Sequence, residues 1–265
     1  MIRFFHITVT FYLIILLIGC NDNKPQEKPI WEEVKIGDLA PAVNERQSNI
    51  QKIEGIYFQV HTFAVPAENI GKLDEISNIL YTHPFSFNHF NAFNANSFSV
   101  GFSRISFGEQ IFQILSESGA KKTGTISLLL SYTQTDDIPI LKLFESRNIY
   151  YITADGTTES ETIGPGILTL RIKAEKIPEF RGVCNVTIIP AFHFPTTAEI
   201  PETAGKDIFF ESCGFSLKMS PGDYIFLRPQ KYIGHQNSLC SLLFSRPGIK
   251  PTVSAYLIVC TDIAD

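Results

Sequence analysis

Residues 106–132 read SFGEQIFQILSESGAKKTGTISLLLSY, and the period of the apolar residues changes inside this stretch. In its first half Ile111, Ile114 and Leu115 fall on one stripe of a helix. Ser106-Phe107-Gly108-Glu109 has the form of a capping box, in which a Ser oxygen and a Glu carboxylate satisfy orphan backbone N–H groups at a helix start. Gly119 stands where that helix should end, because glycine tolerates the left-handed backbone of a C-terminal cap. After Lys121 the pattern becomes the apolar run TISLLLSY (125–132), which reads as a strand. The change of period predicts a helix-bearing part over 55–120 and a strand-only part over 121–265.

Upstream, IYFQVHTFAV (56–65) is a strand candidate. Pro66 suits a first helical turn, and Ile70, Leu73, Ile76 and Leu80 predict an amphipathic helix over 67–80. Phe98, Val100 and Phe102 alternate with polar or small residues, as on a half-buried strand. Residues 82–96 read either as a strand or as an aromatic-rich loop. Downstream, RNIYYITA (147–154), GILTLRIKA (166–174), GVCNVTIIPAF (182–192), IFFESCGFSLKM (208–219), DYIFLRP (223–229) and PTVSAYLIVC (251–260) are further strand candidates. Turn signals such as Gly164-Pro165-Gly166 and Ser220-Pro221-Gly222-Asp223 separate several of them. The expected fold class is α+β: a small βαββα module over 55–120, then a mostly antiparallel β-sandwich-like domain over 121–265.

Composition narrows the function. The chain is 44% hydrophobic, with 22 Phe against 9 Tyr and 1 Trp, which suits a packed, strand-rich body and not a disordered chain. A net charge of -5 without any Lys/Arg run argues against a nucleic-acid partner.

The first twenty residues, MIRFFHITVTFYLIILLIGC, join a positive residue, Arg3, to an apolar stretch from Phe4 to Ile18 and end in Leu17-Ile18-Gly19-Cys20. This segment resembles the signal peptide and lipobox of bacterial lipoproteins. The resemblance implies cleavage before Cys20, acylation of its thiol with palmitate-type chains, and a membrane partner reached through them. Each buried CH₂ contributes about 0.8 kcal/mol, so more than one chain is needed for a stable anchor. Asn21 in place of Asp, by the same family's sorting rule, favours an outer-membrane lipoprotein with a periplasmic body. Residues 21–54, polar and carrying Pro25, Pro29 and Pro41, read as a tether.

The body carries a second resemblance. Val65-Pro66-Ala67-Glu68-Asn69, Asn78-Ile79-Leu80 and Asn96-Ser97-Phe98-Ser99-Val100 follow the rhythm of the small periplasmic domains of bacterial secretins. Gly222-Asp223-Tyr224-Ile225-Phe226-Leu227, Leu239-Cys240-Ser241-Leu242-Leu243-Phe244 and Ala255-Tyr256-Leu257-Ile258-Val259-Cys260 are similar to the end of the secretin β domain. The β part is short for a ring-forming pore, so the resemblance implies a reduced or accessory relative within a secretion or outer-membrane assembly.

Residues with catalytic or ligand-binding chemistry are sparse. Cys184, Cys213, Cys240 and Cys260 form an even set for an oxidising compartment; Cys213 and Cys240, which both flank loops, are the favoured pair, with other connectivities open. No C-x₂-C spacing predicts a zinc site. His83 and His89 lack a third donor nearby, while His61 and His193 stand in strand-like runs that could meet across a sheet. Hydrolase, P-loop and metalloprotease signatures are missing from the sequence. Asp136-Asp137 and Glu159/Glu161 read as solvated loop charges. Phe85, Phe87, Phe90 and Phe93, set among asparagines, form the candidate interaction surface. The sequence therefore predicts a non-enzymatic, lipid-anchored envelope protein without cofactor or metal, acting as a structural or protein-interaction component. The alternative is an envelope glycan- or ligand-binding module using residues 82–96.

Overall fold

A computed structural model describes residues 54–82, 84–131, 134–194, 206–234 and 237–264. Two six-stranded antiparallel sheets make the body. The first contains β1 (Gly55–Pro66), β3 (Phe98–Arg104), β4 (Lys121–Leu130), β12 (Asp223–Pro229), β13 (Ser245–Arg246) and β14 (Thr252–Ala264). Its order is β3-β12-β14-β1-β4, with β13 also on β14. The second contains β2 (Ser86–Phe87), β5 (Thr135–Leu143), β8 (Gly166–Lys176), β9 (Cys184–His193), β10 (Ile208–Phe209) and β11 (Phe215–Met219). Its order is β2-β11-β9-β8-β5, with β10 also on β9. A separate hairpin pairs β6 (Arg147–Ile152) with β7 (Thr158–Ile163). Among the described residues the α-helices are α1 (Asp74–Ile79), α2 (Phe90–Ala95), α3 (Gly108–Glu117) and α4 (Leu239–Phe244).

Strand alternation builds the core between the sheets. On β8, Leu168, Leu170, Ile172 and Ala174 point inward, and β9 adds Cys184, Val186 and Ile188. From the first sheet Phe58, Val60, Leu128, Leu130, Ile225, Leu227, Ile258 and Cys260 meet them. The opposite face of the first sheet carries Phe63, Val65, Tyr224, Phe226, Leu257 and Val259, and α1 and α3 cover it with Ile76, Ile111, Phe112 and Leu115. The body is thus helices on sheet on sheet. The middle sheet explains why β14 carries the apolar run Ala255–Cys260: the strand is buried on both faces there. An α+β fold with an antiparallel β-sandwich body is what the sequence predicted.

The division near Lys121 does not separate two folding units. Of the strands in 55–120, β1 lies between β14 and β4, and β3 pairs with β12. Residues on both sides of Lys121 therefore share one sheet. The change of period marks where the chain stops supplying the helical cover.

Several local readings shift for physical reasons. The 67–80 helix opens as a 3₁₀ turn over Ala67–Leu73 before α1. The capping box does not form: Ser106 lies inside a 3₁₀ turn, Ile105–Phe107, and the N-cap of α3 is Phe107 without a side-chain cap. The C-terminal cap does form. Gly119 has φ +72°, its N–H bonds Ser116 O, and Ala120 N–H bonds Leu115 O, each at 2.9 Å, as in a Schellman motif. The 208–219 strand is split by a 3₁₀ turn at Glu211–Cys213. Strands β5 and β7 arise where the sequence read polar loops. Pro139 sits in β5 because that strand ends its sheet and is bulged between Pro139 and Leu141.

Candidate functional site

The open side of the sandwich lies where β3 ends the first sheet and β2 ends the second. Between these edges is a groove of about 480 Å³ lined by Thr82, Phe85, Phe87, Phe90, Phe93, Asn94, Phe98, Ser99, Val100 and Gln230. All four phenylalanines singled out in the sequence line it. The structure grades them by depth: Phe93 is 3% exposed, Phe85 and Phe87 are half-buried, and Phe90 is 59% exposed.

A relay of ring contacts ties this surface to the core. Phe90 meets Phe87 at 5.2 Å between centroids, Phe87 meets Phe93 at 4.9 Å, and Phe93 meets Phe98 at 5.4 Å. Phe98 then meets Phe244, and Phe244 meets Tyr256 in the centre of the first sheet. Phe215 on β11 packs against Phe85, Phe87 and Phe93 from the other sheet. Several of the pairs are edge-to-face, the arrangement the ring quadrupole favours. The groove is therefore built on a rigid base, with Phe90 as its free wall.

The asparagines around the rings are mostly structural. Asn96 donates to Ile152 O at 2.8 Å and accepts from Ile152 N–H at 2.9 Å, joining the end of α2 to β6 as a strand residue would. Asn88 donates to Glu211 O and to its carboxylate. Asn94 accepts from Gln230 Nε2, which also donates to Phe98 O at 2.9 Å. Phe98, Val100 and Phe215 could be found by strand alternation, whereas Gln230 had no signal in the sequence.

A second polar cluster sits on the outer face of the second sheet. Arg171 Nε and Nη2 donate to both oxygens of Asp137, at 3.0 and 2.7 Å. His193 lies beside them: Nε2 is 3.1 Å from Thr169 Oγ1 and 3.3 Å from Asp137 Oδ2, and Nδ1 is 2.8 Å from Asp207 Oδ2. Burial opposes charge on Asp137, but the Arg171 hydrogen bonds and the His193 and Arg171 charges outweigh it and hold the carboxyl below its usual range. Asp137 is thus not a solvated loop charge. Thr169, His193 and Asp207 have the order of a nucleophile triad, yet Thr169 is 3% exposed and its oxygen also lies 3.4 Å from both Asp137 and Ala191 O. The cluster links β5, β8 and β9 to the segment entering β10, and it offers a substrate no accessible nucleophile.

His61 and His193 do not meet. His61 faces the helices from the first sheet, and His193 faces outward from the second. His61 Nδ1 lies 3.1 Å from Thr125 Oγ1, and among the described residues its buried Nε2 has no hydrogen-bond partner. Desolvation, with Lys122 adding to it, lowers its pKa from 6.5 to about 4.

All four described cysteines are buried free thiols, so the expected Cys213–Cys240 bridge is not formed. Burial raises both of these thiols to about 12. A hydrogen bond that the Cys260 thiol donates to Cys184, together with burial, holds Cys260 far above the ordinary thiol value. Among the described residues no cluster of His, Cys, Asp or Glu could hold a metal ion, and no helix is long and apolar enough to cross a membrane. Cys20, the leader and residues 21–53 of the tether, together with His83, lie outside the described residues.

Comparison with family models, with curated proteins and with solved structures gives no match to this chain.

Proposed function

We propose that this chain is an exported, lipid-anchored envelope protein. Acylated Cys20 holds it at the outer membrane, and its non-enzymatic body meets a protein partner through the phenylalanine groove. One observation carries the reading: Phe85, Phe87, Phe90 and Phe93 converge on one groove, with Phe90 left exposed above a ring network that reaches the core. Aromatic side chains on a pre-packed base supply contact area at low cost in side-chain entropy. The role as a reduced secretin-like element of a secretion or outer-membrane assembly is the finer form of this proposal. It rests on the order of elements along the chain.

The glycan-binding alternative uses the same groove. Its polar rim favours the protein reading, because Asn94 and Gln230 spend hydrogen bonds on each other and on Phe98 O. A sugar needs such groups open to satisfy its hydroxyls.

Co-purification tests the proposal. The mature lipoprotein, extracted in detergent, is expected to bring down a defined partner that Phe90→Ala loses while the variant stays folded. An unchanged partner set with Phe90→Ala contradicts the groove's role. Saturable quenching of aromatic emission by an envelope saccharide, lost in the same variant, supports the alternative instead.

A further inference from the structure

Strand β3 ends the first sheet, and its outer edge is only partly covered. Tyr81 bonds Phe102 on that edge, N–H to O at 2.8 Å and O to N–H at 2.9 Å. In an antiparallel ladder the backbone groups of alternate residues point to the same side. Phe98 and Val100 therefore point outward with Phe102, whereas Ser97 O turns inward and accepts Gln230 N–H at 2.8 Å. Gln230 Nε2 occupies Phe98 O from the outside. Among the described residues nothing is bonded to the outward N–H and C=O of Val100. Both open beside the groove that Val100 itself helps to line.

The charge pattern is equally pointed. From Ile76 to Ser103 the chain has no Asp, Glu, Lys or Arg, and this run supplies β2 and all of the facing edge strand β3 except its last residue, the exposed Arg104. Natural edge strands are usually guarded by charges that discourage pairing with another chain. Beside the groove this edge has aromatic rings in their place, and its one charge, Arg104, stands at the far end of the strand.

We propose that the partner docks as an extended, uncharged strand added to the outer edge of β3, taking the proposed protein-binding role of the groove as its premise. A residue paired with Val100 exchanges both backbone hydrogen bonds with it. Side chains of paired residues lie on one face of a sheet, and those of Phe98 and Val100 face the space between the sheets. The paired residue's side chain accordingly enters the groove against Phe87, Phe90 and Phe93. Main-chain bonds hold the strand at Val100, and the rings select an apolar side chain at the position paired with it. A charged residue there would be desolvated with nothing to pair it.

Titration calorimetry of the mature lipoprotein in detergent tests this with three end-blocked pentapeptides. One alternates threonine and phenylalanine, one is the same with both phenylalanines N-methylated, and one replaces the phenylalanines by lysine. The neutral peptide is expected to bind. N-methylation and lysine should each weaken it by about tenfold or more. Val100→Pro removes the outward N–H while leaving the β12 side of the strand intact, and should weaken the neutral peptide similarly. If that variant unfolds, the N-methylated peptide on the unaltered protein decides. Equal binding of the parent and N-methylated peptides overturns strand addition, and the groove survives as a contact surface if Phe90→Ala still abolishes both. Absence of binding by the neutral peptide up to about 1 mM also overturns strand addition; co-purification with Phe90→Ala then judges the groove separately.

Discussion

Acid should destabilise this body through His61, and the amount can be worked from its surroundings. The ring is buried on the helix-facing side of the first sheet, beside Lys122 and Thr125. Its folded pKa is about 4 against 6.5 for the free group. Because the folded value is depressed, the unfolded chain binds the proton more readily. Stability is then complete above the unfolded value and falls as the pH drops from 6.5 towards 4. At about 1.4 kcal/mol per tenfold change in proton affinity, the full effect is about 3 kcal/mol, and about 2 kcal/mol of it is lost between about pH 7 and about pH 4.5. Urea unfolding at those two pH values, on the unaltered protein and on His61→Gln, isolates the term, since other groups titrate in both. The two proteins should differ in their pH sensitivity by about 2 kcal/mol, whatever the variant's own stability. Parallel losses in both would show that His61 is not held neutral by burial, and would refute the reasoning.

Three further outcomes follow from the packing and the leader. Phe93→Ala, which opens a hole in the ring relay, should cost about 3–4 kcal/mol in chemical denaturation, while Phe90→Ala should stay within about 0.5 kcal/mol; comparable losses would contradict the depth grading of the groove. The thiols of Cys184, Cys213, Cys240 and Cys260 should resist a thiol reagent in the native protein and all four react after unfolding without reductant; a smaller count in the unfolded state would mean that a bridge is present. Metabolic labelling with palmitate should mark the chain and fail with Cys20→Ser, and labelling that persists would move the anchor elsewhere.

Local chemistry was well written in the sequence, and pairing was not. Gly119 and the alternation of Phe98, Val100 and Phe102 were legible because each depends on near neighbours. That β1 would sit between β14 and β4 was not, since Phe58 opposes both Cys260 and Leu128 from distant parts of the chain. The apolar run Ala255–Cys260 in β14 gave a hint, because a strand apolar at six successive positions needs cover on both faces. Strand β5 was hidden by Pro139 and by Asp136-Asp137, whose second carboxylate is stabilised by Arg171, 34 residues further along the chain. The groove was half legible: the four phenylalanines were visible as a group, but the free edge of Val100 and the placement of Gln230 emerge only when two sheet edges face each other.

The groove's role as a protein contact is tested most directly by a photo-crosslinking residue placed at position 90 in intact envelopes, with position 180 as an exposed aromatic control away from the groove. Phe90 and Phe180 are 59% and 51% exposed, so accessibility alone would label both. A discrete covalent adduct from position 90, absent from position 180 and containing the partner that co-purifies with the unaltered protein, is the predicted result. Identical labelling from both positions, or none from position 90, would contradict it.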